Sequence, residues 1–251
     1  EMSSSIEFTQ PMKDGAWRRT EEHFAKTAAD GRCDIRMGDA EAAKTEEEAL
    51  RLVQQIFLVQ ADEPPRMVVF AGIERSEGCS RICAAVAEAL AKNSAGQVCL
   101  VEANFRSPIL PGLFGTTNHY GLTNALLNKG PIRSFAKPLS ADEKLWLVSS
   151  GALTADSANL LTSELLRARM AELREEFEYV ILDAPPLTRY SDAIATGQCA
   201  DGLVLVVEAG STRREAAQVV AANLRTSRIP ILGAVLNNRT FPIPEKIYRR
   251  L

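Results

Sequence analysis

Arg66-Met67-Val68-Val69-Phe70-Ala71-Gly72-Ile73-Glu74-Arg75-Ser76-Glu77-Gly78-Cys79-Ser80 is the stretch on which the fold turns. Arg66–Phe70 is a short apolar run of strand-forming residues, Gly72–Cys79 is a loop, and the Ala-rich segment Ser80–Asn93 reads as a helix. A strand, a glycine-bearing loop and a helix in that order offer backbone N–H groups and a helix N-terminus to an anion. The full phosphate-loop signature is Gly, four residues, Gly, Lys and then Ser or Thr. Gly78 and Ser80 stand where the second glycine and the Mg-binding hydroxyl belong, whereas Ile73 takes the place of the first glycine and Cys79 that of the lysine.

Outward from this unit the chain keeps a βα rhythm. Gln97–Val101 reads as a second strand, Gly121–Asn128 as a short helix, Leu145–Ser149 as a third strand and Ser163–Phe177 as a long helix. Tyr179–Asp183 and the almost wholly apolar Gly202–Val207 follow as strands, then helix Thr212–Arg225 and strand Ile231–Leu236. Apolar runs of that kind suit strands buried on both faces. The alternation predicts an α/β fold: a doubly wound, mainly parallel sheet of roughly six to eight strands with helices on both sides, P-loop NTPase-like. In such sheets ligands bind beyond the carboxyl ends of the strands. Upstream, Thr45-Glu46-Glu47-Glu48 has the form of a capping box opening a helix to about Val59, with Leu50, Val53, Ile56 and Phe57 on one face. Residues 1–43 are polar and aperiodic and read as a disordered arm. The domain is expected over 44–240, with a tail over 241–251.

Composition narrows the function classes. The net charge of -3 and the 24% of charged residues give no basic field for nucleic acid. The five cysteines, Cys33, Cys79, Cys83, Cys99 and Cys199, include no CxxC pair, and the histidines are His23 and His119. A zinc site is therefore not expected. Cys79 and Cys83 share a helical face and are expected to be packed and inert, although a helix N-terminus can lower a thiol's pKa. No apolar run approaches the ~18 residues of a membrane span, and no signal peptide is visible. The chain is expected in the cytosol, with any membrane link made through a partner.

Further blocks complete the pattern. The second strand runs into Glu102-Ala103-Asn104-Phe105-Arg106-Ser107-Pro108. The fourth ends Leu182-Asp183-Ala184-Pro185-Pro186, with Asp192 downstream. Ala209-Gly210-Ser211-Thr212-Arg213-Arg214 follows the fifth, and the last ends at Asn237. This ordered set, over about residues 45–237, resembles the bacterial tyrosine kinases of capsule and exopolysaccharide export, cytoplasmic P-loop domains that partner membrane chain-length regulators. The resemblance makes the first block a Walker A loop, the second an additional Walker motif and the third Walker B. It implies nucleotide contacts at Gly78, Cys79, Ser80, Arg81 and Asn237, and Mg contacts at Ser80 and Asp183. It also implies ATP or ADP with Mg as cofactor, a chain-length regulator or another polysaccharide-export protein as partner, self-association, and recruitment to the inner membrane through that partner.

The departures from the family pattern bear on chemistry. The lysine is Cys79, the usual Pro and Gly are Arg75 and Ser76, and the two aspartates of the additional motif are Glu102 and Asn104. Asn has no proton-accepting carboxylate. The family's oligomerisation helix appears as Glu48-x-x-Arg51-x-x-Gln54, short of one arginine, and its tyrosine cluster is reduced to Tyr248. Glu74 stands where related MinD-type ATPases carry a signature lysine. The expectation is a degenerate member with weak or absent ATP chemistry, serving as a regulatory or scaffolding component. The alternative is an active ATPase or tyrosine autokinase that uses Arg75, Arg81 or Arg106 as a substitute cation. A Rossmann-like binder ranks last because no GxGxxG follows the first strand. The tail Phe241-Pro242-Ile243-Pro244 to Tyr248 is expected to dock on its own domain, a partner or membrane surface being the sharper reading.

Overall fold

The computed structural model describes residues 4–11, 17–19, 39–58, 63–152, 160 and 164–240. The elements are β1 (Ser4–Pro11), β2 (Trp17–Arg19), α1 (Asp39–Ile56), β3 (Met67–Gly72), α2 (Cys79–Asn93), β4 (Val98–Glu102), α3 (Leu110–Leu113), α4 (Leu122–Leu127), a 3₁₀ turn (Ile132–Phe135), β5 (Lys137–Pro138), β6 (Leu145–Val148), α5 (Glu164–Glu176), β7 (Tyr179–Ala184), α6 (Asp192–Gly197), β8 (Gly202–Glu208), α7 (Arg214–Thr226) and β9 (Ile231–Thr240).

One sheet runs in the order β2-β1-β9-β8-β3-β7-β4-β6-β5. The strands from β9 to β6 in that order pair in parallel. They are the six strands expected from the apolar runs. The remaining three, β1, β2 and β5, are antiparallel additions at the edges, so the sheet exceeds the expected six to eight strands. Strands at the margins of a sheet hold by backbone pairing and need no long apolar run, which is why the pattern did not announce them. Two of them lie within the segment read as an arm, where β1 pairs with β9.

Alternation along the central strands divides the core in two. Met67, Val69, Ala71 and Ile73 face one layer, with Leu182, Leu203, Met170 and Leu173. Val68 and Phe70 face the other, with Leu100, Ile181, Val204, Val86 and Leu90. Each of the larger side chains contributes about 1.5–3 kcal/mol on full burial. Helix α1 belongs to the second layer. It starts at Asp39 rather than at Thr45, so the capping-box residues lie inside it. Its buried face is Ala49, Leu52, Val53 and Ile56, extended by the buried Phe57 just past its end, with Leu50 half-buried. The expected helix end at Val59 and the tail over 241–251 lie outside the described residues. Among the described residues no helix is long and apolar enough to cross a membrane.

The topology places the site. From β3 the chain crosses through α2 to β4, and β7 then inserts between β3 and β4. The carboxyl ends of β3, β7 and β8 therefore meet where the strand order reverses, the position at which open α/β sheets bind ligands.

Candidate functional site

The loop after β3 is braced from three sides. Leu187 N–H donates to Gly72 O at 3.0 Å, and the Thr188 hydroxyl donates to Ile73 O at 2.7 Å, so the segment after β7 clamps the loop's first half. Glu77 turns its carboxylate back into the loop, where Oε2 accepts from Glu74 N–H at 3.0 Å and Oε1 accepts from the Thr212 hydroxyl. Burial raises the Glu77 pKa, and these hydrogen bonds oppose the rise. Asn237 Nδ2 donates to Glu77 O at 2.9 Å.

Gly78 has φ +80° and caps α2. A Cβ there would sit 2.3 Å from Asn237 Nδ2, so this close approach requires glycine. Asn237, which the resemblance makes a nucleotide contact, is thus engaged in holding the loop. Ser76 has φ +66°, a left-handed conformation where the family pattern has glycine. Ser76→Gly is expected to raise stability by about 1 kcal/mol, read by urea unfolding.

Helix α2 begins at Cys79. The loop bend and the first helical turns bring Cys79, Ser80 and Cys83 beside Asp183 at the carboxyl end of β7. Burial pushes the Asp183 pKa up to about 7. Hydrogen bonds from Ser80, Cys79 and Cys83 oppose the rise, and the Glu102 charge adds to it. The Cys79 thiol is drawn down by its hydrogen bond with Cys83, but burial and Asp183 outweigh this and bring it to about 11. Cys83 is raised well above the usual thiol value, chiefly by burial. The lowering that a helix N-terminus can bring to a thiol is overridden at Cys79 by desolvation and nearby negative charge. Arg81 stands apart, with its side chain exposed.

The additional Walker block does structural work. Glu102 lies opposite Asp183 in the β4–β7 register. It is 0 % exposed, and its carboxylate accepts from Ile109 N–H at 2.6 Å, Leu110 N–H at 2.7 Å and Ser150 N–H at 3.3 Å. It satisfies the N-terminal amides of α3, which lack intrahelical partners. Asn104 Oδ1 accepts from Ser107 N–H at 3.2 Å in the same loop. Glu102→Ala strands those amides and is expected to cost about 2–4 kcal/mol in denaturant unfolding, with Glu102→Gln costing less than half of that.

The three candidate substitute cations differ in placement. Arg75 Nη2 donates to the Tyr190 hydroxyl at 2.8 Å. Arg106 stacks over the Tyr190 ring, 4.6 Å from its centroid, and its Nε pairs with the buried Asp192 carboxylate at 3.2 Å. Both are engaged, while Arg81 points to solvent. Thr188 and Tyr190 escaped the sequence reading, and Thr212 stood in its block without a role. Their only signal was a polar residue soon after a strand end, which many loops share. Tyr248, the remaining member of the expected tyrosine tail, lies outside the described residues.

No protein-family model matches the chain. Tyrosine-protein kinase YwqD of Bacillus subtilis is 30% identical over 184 residues, which is 73% of this chain and 77% of that protein. Among solved structures, the kinase domain of Escherichia coli tyrosine kinase ETK is similar with a TM-score of 0.71 at 21% identity, covering 80% of this chain and 78% of that one. A ParA family ATPase from Chlorobium tepidum is similar with a TM-score of 0.57 at 17% identity, covering 67% and 71%. The fold is accordingly that of a P-loop NTPase-like α/β domain.

Proposed function

The chain belongs to the bacterial tyrosine kinase family, and from that membership we propose that it is a regulatory or scaffolding domain of exopolysaccharide synthesis and export in which ATP chemistry is weak or absent. The observation that carries the reading is Cys79. It occupies the lysine position, bears no positive charge, and lies against Asp183. Phosphoryl transfer depends on positioning and on neutralising phosphate charge, and a thiol supplies neither here.

The fit to magnesium nucleotide is partial. Ser80 and the buried Asp183 suit a magnesium ion, and the Gly78 turn with the amides of α2 suits a phosphate. Of the three candidate cations among the described residues, Arg75 and Arg106 are held by Tyr190 and Asp192, which leaves the exposed Arg81 as the charge available to a triphosphate. Glu77 and Asp183 add negative charge nearby. In this reading Gly78, Cys79, Ser80 and Arg81 form a residual anion cradle, and Asn237 braces it. The Glu102 and Asn104 side chains, which replace the family's aspartates, serve the fold instead of the metal.

The partner is a membrane chain-length regulator or another export protein, which would hold the domain at the cytoplasmic face of the inner membrane. Helix α1 carries Arg51 on its outer side, paired with Glu47 at 2.7 Å, as the remnant of a self-association surface.

The competing reading, an active autokinase or ATPase, draws on the convergence of Arg75 and Arg106 at Tyr190. One experiment separates the two. The melting temperature is measured with and without millimolar Mg·ATP, and Tyr248 is assayed for phosphate afterwards. A ligand present near its Kd stabilises by only about 0.4 kcal/mol, so the scaffolding reading expects almost no shift. A shift of several degrees with phosphotyrosine at Tyr248 favours the active enzyme.

A further inference from the structure

Cys79 and Cys83 lie one helical turn apart at the start of α2, facing the end of β7. One ligand atom from each of Cys79, Cys83 and Asp183 lies within 4.8 Å of the others. Cys83 Sγ is 3.8 Å from Asp183 Oδ1. Asp183 is wholly buried, and its other oxygen, Oδ2, has no hydrogen-bond partner among the described residues. A sealed carboxylate oxygen without a donor is an uncommon feature in a packed interior, and it calls for a cation or a proton.

We propose that Cys79, Cys83 and Asp183 form a binding site for a thiophilic divalent cation, zinc by its ligand chemistry, at the inner wall of the phosphate loop. Two sulfurs and one carboxylate oxygen are a zinc donor set, whereas magnesium prefers oxygen ligands throughout. On a tetrahedral zinc with bonds of about 2.3 Å, two sulfurs stand roughly 3.8 Å apart. The three ligand atoms already lie within 4.8 Å of one another. Each thiol gives its proton to solvent as the ion binds. Cys79 is only partly buried, so the ion enters past it. The fourth position falls to water or to the neighbouring Ser80 hydroxyl.

The filled site ties α2 to β7. Two thiolates and a carboxylate outweigh the charge of one zinc ion, so the site remains anionic and does not restore the attraction for phosphate that the lysine would give. The site goes beyond the scaffolding reading. It draws on Asp183 and Ser80, the residues that suit magnesium, so zinc and magnesium nucleotide exclude one another there.

The test uses the full chain, reduced and stripped with a chelator that is then removed. Cobalt(II) is titrated in as a spectroscopic probe, followed by zinc. One equivalent of cobalt is expected to give thiolate-to-metal charge-transfer absorption and the visible bands of a tetrahedral ion, both bleached by zinc. Cys83→Ser and Asp183→Asn are each expected to weaken zinc binding by at least about tenfold, and Cys199→Ser to leave it unchanged. Should Cys83→Ser fold poorly, alkylation of the unmodified chain decides. Zinc must then protect Cys79 and Cys83, mapped by mass spectrometry, while Cys199 stays reactive. Absence of thiolate bands at stoichiometric cobalt, bands that survive both ligand substitutions, or alkylation of Cys79 and Cys83 unaffected by zinc would each overturn the proposal.

Discussion

Asp183→Asn is expected to make the metal-free chain more stable at pH 8, by about 2–4 kcal/mol, and to have almost no such effect near pH 4. The reason is the burial of the carboxyl, which raises its pKa from 3.8 to about 7 in the folded state. Between those values the folded chain holds a proton that the unfolded chain has released. Stability of the unmodified protein therefore falls as pH rises from about 4 to about 7 and is level above that. A rise of about 3 pH units at ~1.4 kcal/mol each sets a ceiling on the order of 4 kcal/mol. Asparagine removes the ionisation and keeps the shape, at the cost of one amide to be satisfied by Ser80 and the thiols. Urea unfolding across pH 4–8 reads the effect. A loss at pH 8, or a gain of equal size at both ends, would contradict it. The result also bears on function, since a charged group retained in the interior at a cost to stability marks a site kept for a ligand.

Cys79→Lys is expected to raise the affinity for ADP-Mg and ATP-Mg by roughly ten- to a hundredfold or more. A charge-assisted hydrogen bond contributes about 1.5–3 kcal/mol, and each 1.4 kcal/mol is tenfold in affinity. The frame for that lysine is in place. The Gly78 turn is held by Asn237, the Thr188 hydroxyl secures Ile73 O, and Ser80 lies beside Asp183. Cys79 is only partly buried, so the longer side chain can extend along the cradle. Calorimetric titration of both proteins reads the difference. Equal affinities in the two would show that the loop, and not its cation, is what has changed.

Much of this architecture was legible because it rests on apolar runs. The six parallel strands announced themselves through segments such as Val68–Phe70 and Leu203–Val207, and the phosphate loop through its place between a strand and an Ala-rich helix. What was hidden depends on pairing across the chain. The three antiparallel strands β1, β2 and β5 at the margins of the sheet carry no apolar run and are fixed by neighbouring backbone. Helix α1 starts six residues before its capping-box motif. At the site, Cys79 was found by position alone. Its approach to Asp183 needed the adjacency of β3 and β7, which no local pattern encodes. Glu102 and Asn104 were visible as replacements for aspartate, but their hydrogen bonds to Ile109, Leu110 and Ser107 appear only once the loop is folded. Asn237 was read as a nucleotide contact from the family resemblance, and its hydrogen bond to Glu77 O shows only once β9 is folded beside the loop.

The most direct test is magnesium-dependent ATP turnover by the purified chain, alone and with the cytoplasmic segment of a chain-length regulator. Release of phosphate no faster than from an Asp183→Ala variant is the result this account predicts. Vigorous turnover that disappears in Asp183→Ala would contradict it and would mean that another residue has taken over the work of the missing lysine.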